Sequence, residues 1–320
     1  MARTSLPLSL VASLVACGAP STPPVDAGVG VDAAGGADAA SSRDAGPRAL
    51  EVFADLGSTS EGIAIGRTLD GAPVLYVGTS DDRVVRVAPD GVVGDFVSID
   101  SPVGLAVRAD GTLLVCAKQP AAMGGAAAIF SVTQDGIVSP LVTTGPGGVD
   151  FVLTNFVAEA PDGSIVFSDS GADSLFRADA DGSHVALVAS ISYANGLAFS
   201  PDGSTLYVAS WDTTTVHALS FDRTTGAYGT PSPAHEGVMN VDGLVTTSTG
   251  SLVLVTSGNG VLVVDPAAPT AAPRSLLGNR ELTLPANGVF GDTAFGPHDV
   301  YLSSLARPSV YVLHTDLAGP

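Results

Sequence analysis

The stretch NGLAFSPDGSTLYVAS, residues 195–210, constrains the fold more than any other part of the chain. A short apolar strand, a Pro-Asp-Gly turn at 201–203 and a second, alternating strand make a β-hairpin. Versions of its opening frame recur as EGIA at 61–64, VGLA at 103–106, NFVA at 155–158, DGLV at 242–245 and NGVF at 287–290. With the copy at 195 there are six, and their starts lie 40 to 52 residues apart. Strand units recurring at roughly 40–50 residues are the signature of β-propeller blades. The expected fold is therefore all-β, a six-bladed β-propeller.

The blades account for residues 49–320. The last unit begins too near the C-terminus to supply four long strands easily, whereas ALEVFADL at 49–56 alternates like a strand without a blade of its own. This segment is expected to complete the sixth blade, closing the ring and protecting its sheet edges. Asp90, Asp110, Asp135, Asp162, Asp181 and Asp202 each precede a Gly and read as hairpin turns. Two Gly/Ala-rich inserts, 120–128 and 145–149, are expected as loops over one face. A net charge of −19 excludes nucleic acid as a partner, since its binding needs a basic surface.

Residues 1–17 read as an export signal, with Arg3 in the charged region, an apolar run from Leu6 to Val15, and LVAC at 14–17. That tetrapeptide resembles the lipobox of bacterial lipoproteins, which implies a lipid on Cys17 and anchoring in the cell envelope. Residues 18–48, rich in Ala, Gly, Asp, Ser and Pro, cannot bury enough apolar surface to fold and are expected as a flexible tether. A dinucleotide-like glycine pattern at 28–33 follows no strand and opens no helix, so it carries no weight. The second cysteine, Cys116, lies in an apolar run and is expected as a buried thiol.

In a propeller the first strand of each blade is innermost, so equivalent positions of the repeat face one another. The frame puts Glu61, Asn155, Asn195 and Asp242 there, with Asn287 in the sixth blade and Val103 as the apolar exception. Two carboxylates and two amides offer only oxygen ligands, the set preferred by a hard cation. Ca²⁺ accepts roughly six to eight oxygens in flexible geometry; another divalent cation is the alternative. Zinc would call for His or Cys.

The sequence resembles the senescence marker protein, gluconolactonase and luciferin-regenerating enzyme family of six-bladed calcium-dependent hydrolases. The matching residues are Glu61-Gly62, Asn155 to Asp169, Asn195 to Tyr207, Asp242 to Leu244, and NGVFGDTAFGPHDVYLSS at 287–304. The resemblance implies that Glu61, Asn155, Asn195 and Asp242 hold the metal. The function it implies is calcium-dependent hydrolysis of a small-molecule lactone or ester, with Asp242 activating water or attacking directly. Leu153 stands where sugar-lactone hydrolases of the family tend to have Arg, and Phe156 where many have Asp. Both replacements favour a more apolar substrate if those side chains face the pocket.

The other function weighed is a non-catalytic interaction propeller similar to NHL-repeat proteins. Its blades use comparable hairpins but need no ring of acids and amides. His235 and His298 sit in loop-like contexts within reach of a channel mouth, and Trp211 is expected in blade packing. Residues 177–182 resemble an EF-hand loop only superficially and read as a turn. The chain is expected to act as a monomer whose only membrane contact is the lipid on Cys17.

Overall fold

The computed structural model describes residues 50–119 and 124–320. The expected signal, tether and lipidated Cys17 lie outside the described residues, as do positions 120–123 of the first insert. The chain begins with β1 (Leu50–Asp55). Blade 1 follows as β2 (Ser60–Arg67), β3 (Pro73–Thr79), β4 (Arg83–Val87) and β5 (Val93–Ser98). Blade 2 comprises β6 (Leu105–Val107), β7 (Leu113–Lys118), β8 (Ala127–Val132) and β9 (Val138–Val142). Blade 3 comprises β10 (Thr154–Glu159), β11 (Ile165–Asp169), β12 (Ser174–Ala178) and β13 (Ala186–Ser190). In blade 4, β14 (Ala194–Phe199), β15 (Thr205–Ser210) and β16 (Thr215–Asp222) are flanked by β17 (Ala227–Tyr228) and β18 (Ser232–Glu236), both paired with β16. Blade 5 is β19 (Val241–Thr246), β20 (Leu252–Thr256), β21 (Gly260–Val264) and β22 (Arg274–Leu277). Blade 6 contains β23 (Pro285–Phe290), β24 (Asp299–Ser304) and β25 (Ser309–His314).

The outer strand of blade 6 is β1, which pairs antiparallel with β25 from Leu50 opposite Leu313 to Asp55 opposite Ser309. The expected closure by the N-terminal strand is thus observed, and it joins the two ends of the ring. The core has the same circular order. It forms six apolar clusters, one at each junction between consecutive blades. Second strands such as LVLVT and IVFSD are buried at every position because a blade lies on either side. Their near-continuous apolar runs, rather than strict alternation, follow from that. The outermost strands β5 and β13 have no fully buried residue.

The Asp-Gly turns form as expected. Gly91, Gly111, Gly136, Gly163, Gly182 and Gly203 all have positive φ. Carboxylates of Asp90, Asp110, Asp162, Asp181 and Asp202 accept the backbone N–H two residues on. The expected loop at 120–128 needs correction at its end: Ala127 and Ala128 open β8 and are buried, because their small side chains fit the blade 2–3 and 1–2 interfaces. The insert at 145–149 is a loop, with a single 3₁₀ turn at Pro146–Gly148.

Glycine after the first frame residue has a steric reason. A β-carbon on Gly62 would stand 2.1 Å from the Val103 carbonyl oxygen, and one on Gly104 would stand 2.0 Å from that of Asn155. Gly196 and Gly243 meet Asp242 O and the Ala286–Asn287 backbone in the same way. Neighbouring inner strands therefore touch backbone to backbone at four junctions. Gly104→Ala should cost about 3 kcal/mol through overpacking against rigid backbone. Urea unfolding should show a lower midpoint at unchanged slope.

Candidate functional site

The ladders fix which residues are equivalent. Ser60, Thr154, Ala194, Val241 and Pro285 pair with Thr79, Asp169, Ser210, Thr256 and Ser304, the last residues of their second strands. The register then shifts in all five blades, resuming at Ile63, Val157, Leu197, Leu244 and Gly288. Each irregularity encloses the frame position, and bulges of this kind re-aim side chains. Glu61, Asn155, Asn195 and Asp242 occupy the first position inside it, as expected from the sequence. The sixth copy does not follow the expected frame. Ala286 takes the equivalent place, and Asn287 falls one residue later, where the other blades have Gly62, Gly104, Phe156, Gly196 and Gly243. The Asn287 carboxamide turns to its own chain and accepts the Gly288 N–H at 2.7 Å.

Phe156 and Asn287 carry side chains at the position where the other junctions need glycine, and a serine occurs beside each. Ser168 Oγ accepts the Phe156 N–H at 3.0 Å and donates to Asn195 O at 3.1 Å in the next blade. Ser303 Oγ accepts the Asn287 N–H at 3.0 Å and donates to Glu61 O, so it spans the closing junction between blades 6 and 1. Both hydroxyls tie down the backbone of a candidate ligand. Asp169, meanwhile, accepts the N–H groups of Val152 and Leu153 at 2.9 and 2.7 Å, fixing the approach to Asn155.

The site is rich in acceptors and poor in donors. Asn155, Asn195 and Asp242 are 4, 2 and 4 % exposed. Asn155 Nδ2 donates to Ser170 Oγ at 3.0 Å, and Ser170 Oγ donates on to Ala194 O. That bond fixes the amide, yet Asn155 Oδ1 and Asn195 Oδ1 are buried without a hydrogen-bond partner. Burial pushes the Glu61 carboxyl up to about 7. Burial, and then the charge of Glu61, push Asp242 well above the usual carboxylate range, while the Asn195 side chain acts in the opposite direction. Glu61 and Asp242 thus sense each other although blade 6, with its small Ala286, separates them. Neither takes part in an ion pair among the described residues.

Among the described residues no three His, Cys, Asp or Glu side chains gather as a metal cluster. The candidate set has two carboxylates, and its remaining oxygens belong to amides. Two unpartnered buried carbonyl oxygens, each costing about 1–3 kcal/mol when unpaired, fit a cation that takes oxygen ligands.

The other candidates fall elsewhere. His235 lies in β18 opposite Val216, buried with neither ring nitrogen partnered, rather than in a loop. His298 sits in a turn, where its ring pairs with Leu317 O. Cys116 is a buried thiol, as expected. Phe156 packs with Val166, Leu175 and Leu197 between blades 3 and 4, so it does not line a pocket. Leu153 remains partly exposed. Trp211, expected in blade packing, belongs to none of the apolar clusters; it pairs with Tyr193 at 5.4 Å between ring centroids. Sequence reasoning missed that pair, as it missed Ser168, Ser170 and Ser303.

A closed six-bladed propeller with acids and amides at equivalent inner-strand positions defines the class of protein. Residues 65–288 match the family described as SMP-30/Gluconolactonase/LRE-like region, and the chain belongs to that family. Among solved structures, a gluconolactonase of Xanthomonas campestris is 24% identical, with a TM-score of 0.66 over 84% of this chain and 90% of that one. A luciferin-regenerating enzyme superposes with a TM-score of 0.68 at 16% identity, covering 85% and 97%. A calcium-binding protein, regucalcin, of Agrobacterium tumefaciens gives 0.62 at 16% identity, covering 86% and 96%. No curated protein sequence matches the chain. At these identities the structural likeness establishes the fold.

The raised carboxyls have a signed consequence for stability in the absence of divalent cations. A folded-state pKa above the unfolded value means the native state holds more protons in between, so stability falls as pH rises through that window. For Glu61 the window runs from 4.5 to about 7. The lowered carboxyls of Asp81 and Asp202, near 2, act below it. Thermal melts of chelator-treated protein should show Tm declining between pH 5 and about 7, and Glu61→Gln should flatten that decline.

Proposed function

We propose that the chain is a calcium-dependent hydrolase of a lactone or related ester, with Glu61, Asn155, Asn195 and Asp242 as the cation's protein ligands. The observation that carries this reading is the set of two carboxylates and two buried, unpartnered amide oxygens at equivalent inner-strand positions. Family membership and the fold shared with a gluconolactonase and a calcium-binding protein support it. When bound, the cation supplies polarisation of the substrate carbonyl and stabilisation of negative charge on its oxygen.

The protein's own groups supply the rest. Asp242 is the general base. Its carboxylate takes a proton from the water that adds to the carbonyl carbon. The carbon–oxygen bond to the leaving alkoxide then breaks, and the proton held on Asp242 passes to that oxygen. Ser170 keeps the Asn155 amide in one orientation, and Ser168 and Ser303 hold the backbones of Asn195 and Glu61. Prearranged groups of this kind avoid reorganisation during the reaction. The sequence of the first 48 residues supports placing this activity at the cell envelope, tethered through Cys17.

The test is hydrolysis of δ-gluconolactone, γ-butyrolactone and phenyl acetate by protein stripped with chelator and then resupplied with Ca²⁺. Activity should vanish and return, and Asp242→Ala should lower kcat by roughly 10²–10⁴-fold while the fold is retained by circular dichroism. Chelator-resistant turnover, or an active Asp242→Ala, would overturn the mechanism. A lack of both turnover and calcium binding would return the chain to the interaction-propeller reading.

A further inference from the structure

The segments leading into the inner strands are strained above blades 4 to 6. Tyr193, Asn240 and Leu284 each lie two residues before the frame position of their blade, and all adopt left-handed φ, at 39°, 57° and 44°. Ser101, at 48°, does the same before Val103. Side-chain-bearing residues reach this region at a cost of about 1–2 kcal/mol each, and such strain clusters where geometry serves a ligand. At Tyr193 it falls two residues before Asn195.

Hydrogen bonds locate that ring. Trp211 N–H donates to Tyr193 O at 3.1 Å, and Trp211 O accepts the Asn240 N–H at 3.1 Å. The indole Nε1 reaches Ser257 Oγ at 3.3 Å, and the Ser257 N–H donates to Asn240 O. The aromatic pair therefore bridges the entrances of the strands that carry Asn195 and Asp242. Both residues are partly exposed. Tyr193 immediately precedes β14, the strand that carries Asn195. Val152 and Met239, just before the inner strands of blades 3 and 5, are exposed apolar residues, and Leu153 is partly exposed. An arc of this composition offers little to a polyhydroxylated sugar and a good surface to a flat apolar group.

We propose that Tyr193 and Trp211 form the wall of the substrate site and select an ester or lactone carrying an aromatic group. The proposal rests on the hydrolase reading for the reaction, but the ligand site can be tested without turnover. Trp211 is the only tryptophan of the chain, so its fluorescence reports the wall directly. The probe is dihydroquinolinone, the lactam counterpart of the aryl lactone dihydrocoumarin, added to calcium-saturated protein. Saturable quenching is expected, about tenfold weaker in affinity in Tyr193→Ala and retained in Tyr193→Phe. In turnover, the ratio of kcat/KM for dihydrocoumarin over δ-gluconolactone should fall about tenfold in Tyr193→Ala, chiefly through KM. Lactam binding that depends on Tyr193 without any lactone hydrolysis would sustain the wall and remove the reaction. Lactone hydrolysis with an unaltered ratio in Tyr193→Ala, and no Trp211 response, would remove the wall and sustain the reaction.

Discussion

Neighbouring inner strands approach so closely that at four of six junctions no β-carbon fits between them, and the site depends on that contact. It sets how near the frame residues of successive blades come to one another. Closure by β1 and β25 holds the ring at that spacing, and the six interblade clusters supply the apolar burial that drives it together. Where the glycine is missing, at Phe156 and Asn287, a serine hydroxyl takes over the contact. These two junctions are opposite one another in a ring of six.

The geometry has an electrostatic consequence. Burying Glu61 and Asp242 without a paired base raises both carboxyls, Asp242 further through the charge of Glu61, and burying two amide oxygens without donors adds further cost. A fold selected for stability alone would have little reason to keep such a cluster. A divalent cation would balance the charge and satisfy the orphaned oxygens together. Val103 and Ala286, on either side of Glu61, leave that part of the ring without polar ligands, while Asn155, Asn195 and Asp242 are consecutive.

Much of the fold was legible because propeller blades repeat. The spacing of the frame, the Asp-Gly turns and the unassigned strand at 50–55 all appear in local sequence. The four polar frame residues were legible for the same reason. The sixth blade misled the frame because Asn287-Gly288 imitates Asn195-Gly196; only pairing of Pro285 with Ser304 reveals that Ala286 is the equivalent residue. A one-residue slip in an irregular strand leaves no mark in composition. A pocket position for Phe156 was suggested only by the family resemblance; next to Asn155 on the strand, it packs between blades 3 and 4 instead. The serine bridges and the Tyr193–Trp211 pair join residues of different strands or blades, and such contacts have no short-range signature.

Calorimetric titration of chelator-treated protein with Ca²⁺, at pH 6 and again at pH 8 in buffers of different ionisation enthalpy, tests the central claim most directly. One-site binding that is tighter at pH 8, with protons released at pH 6, and that is abolished in Asp242→Ala is the predicted result, because the cation must displace protons from Glu61 and Asp242. The absence of binding at both pH values, or binding that persists unchanged in Asp242→Ala, would contradict the assignment of these inner-strand oxygens as a cation site.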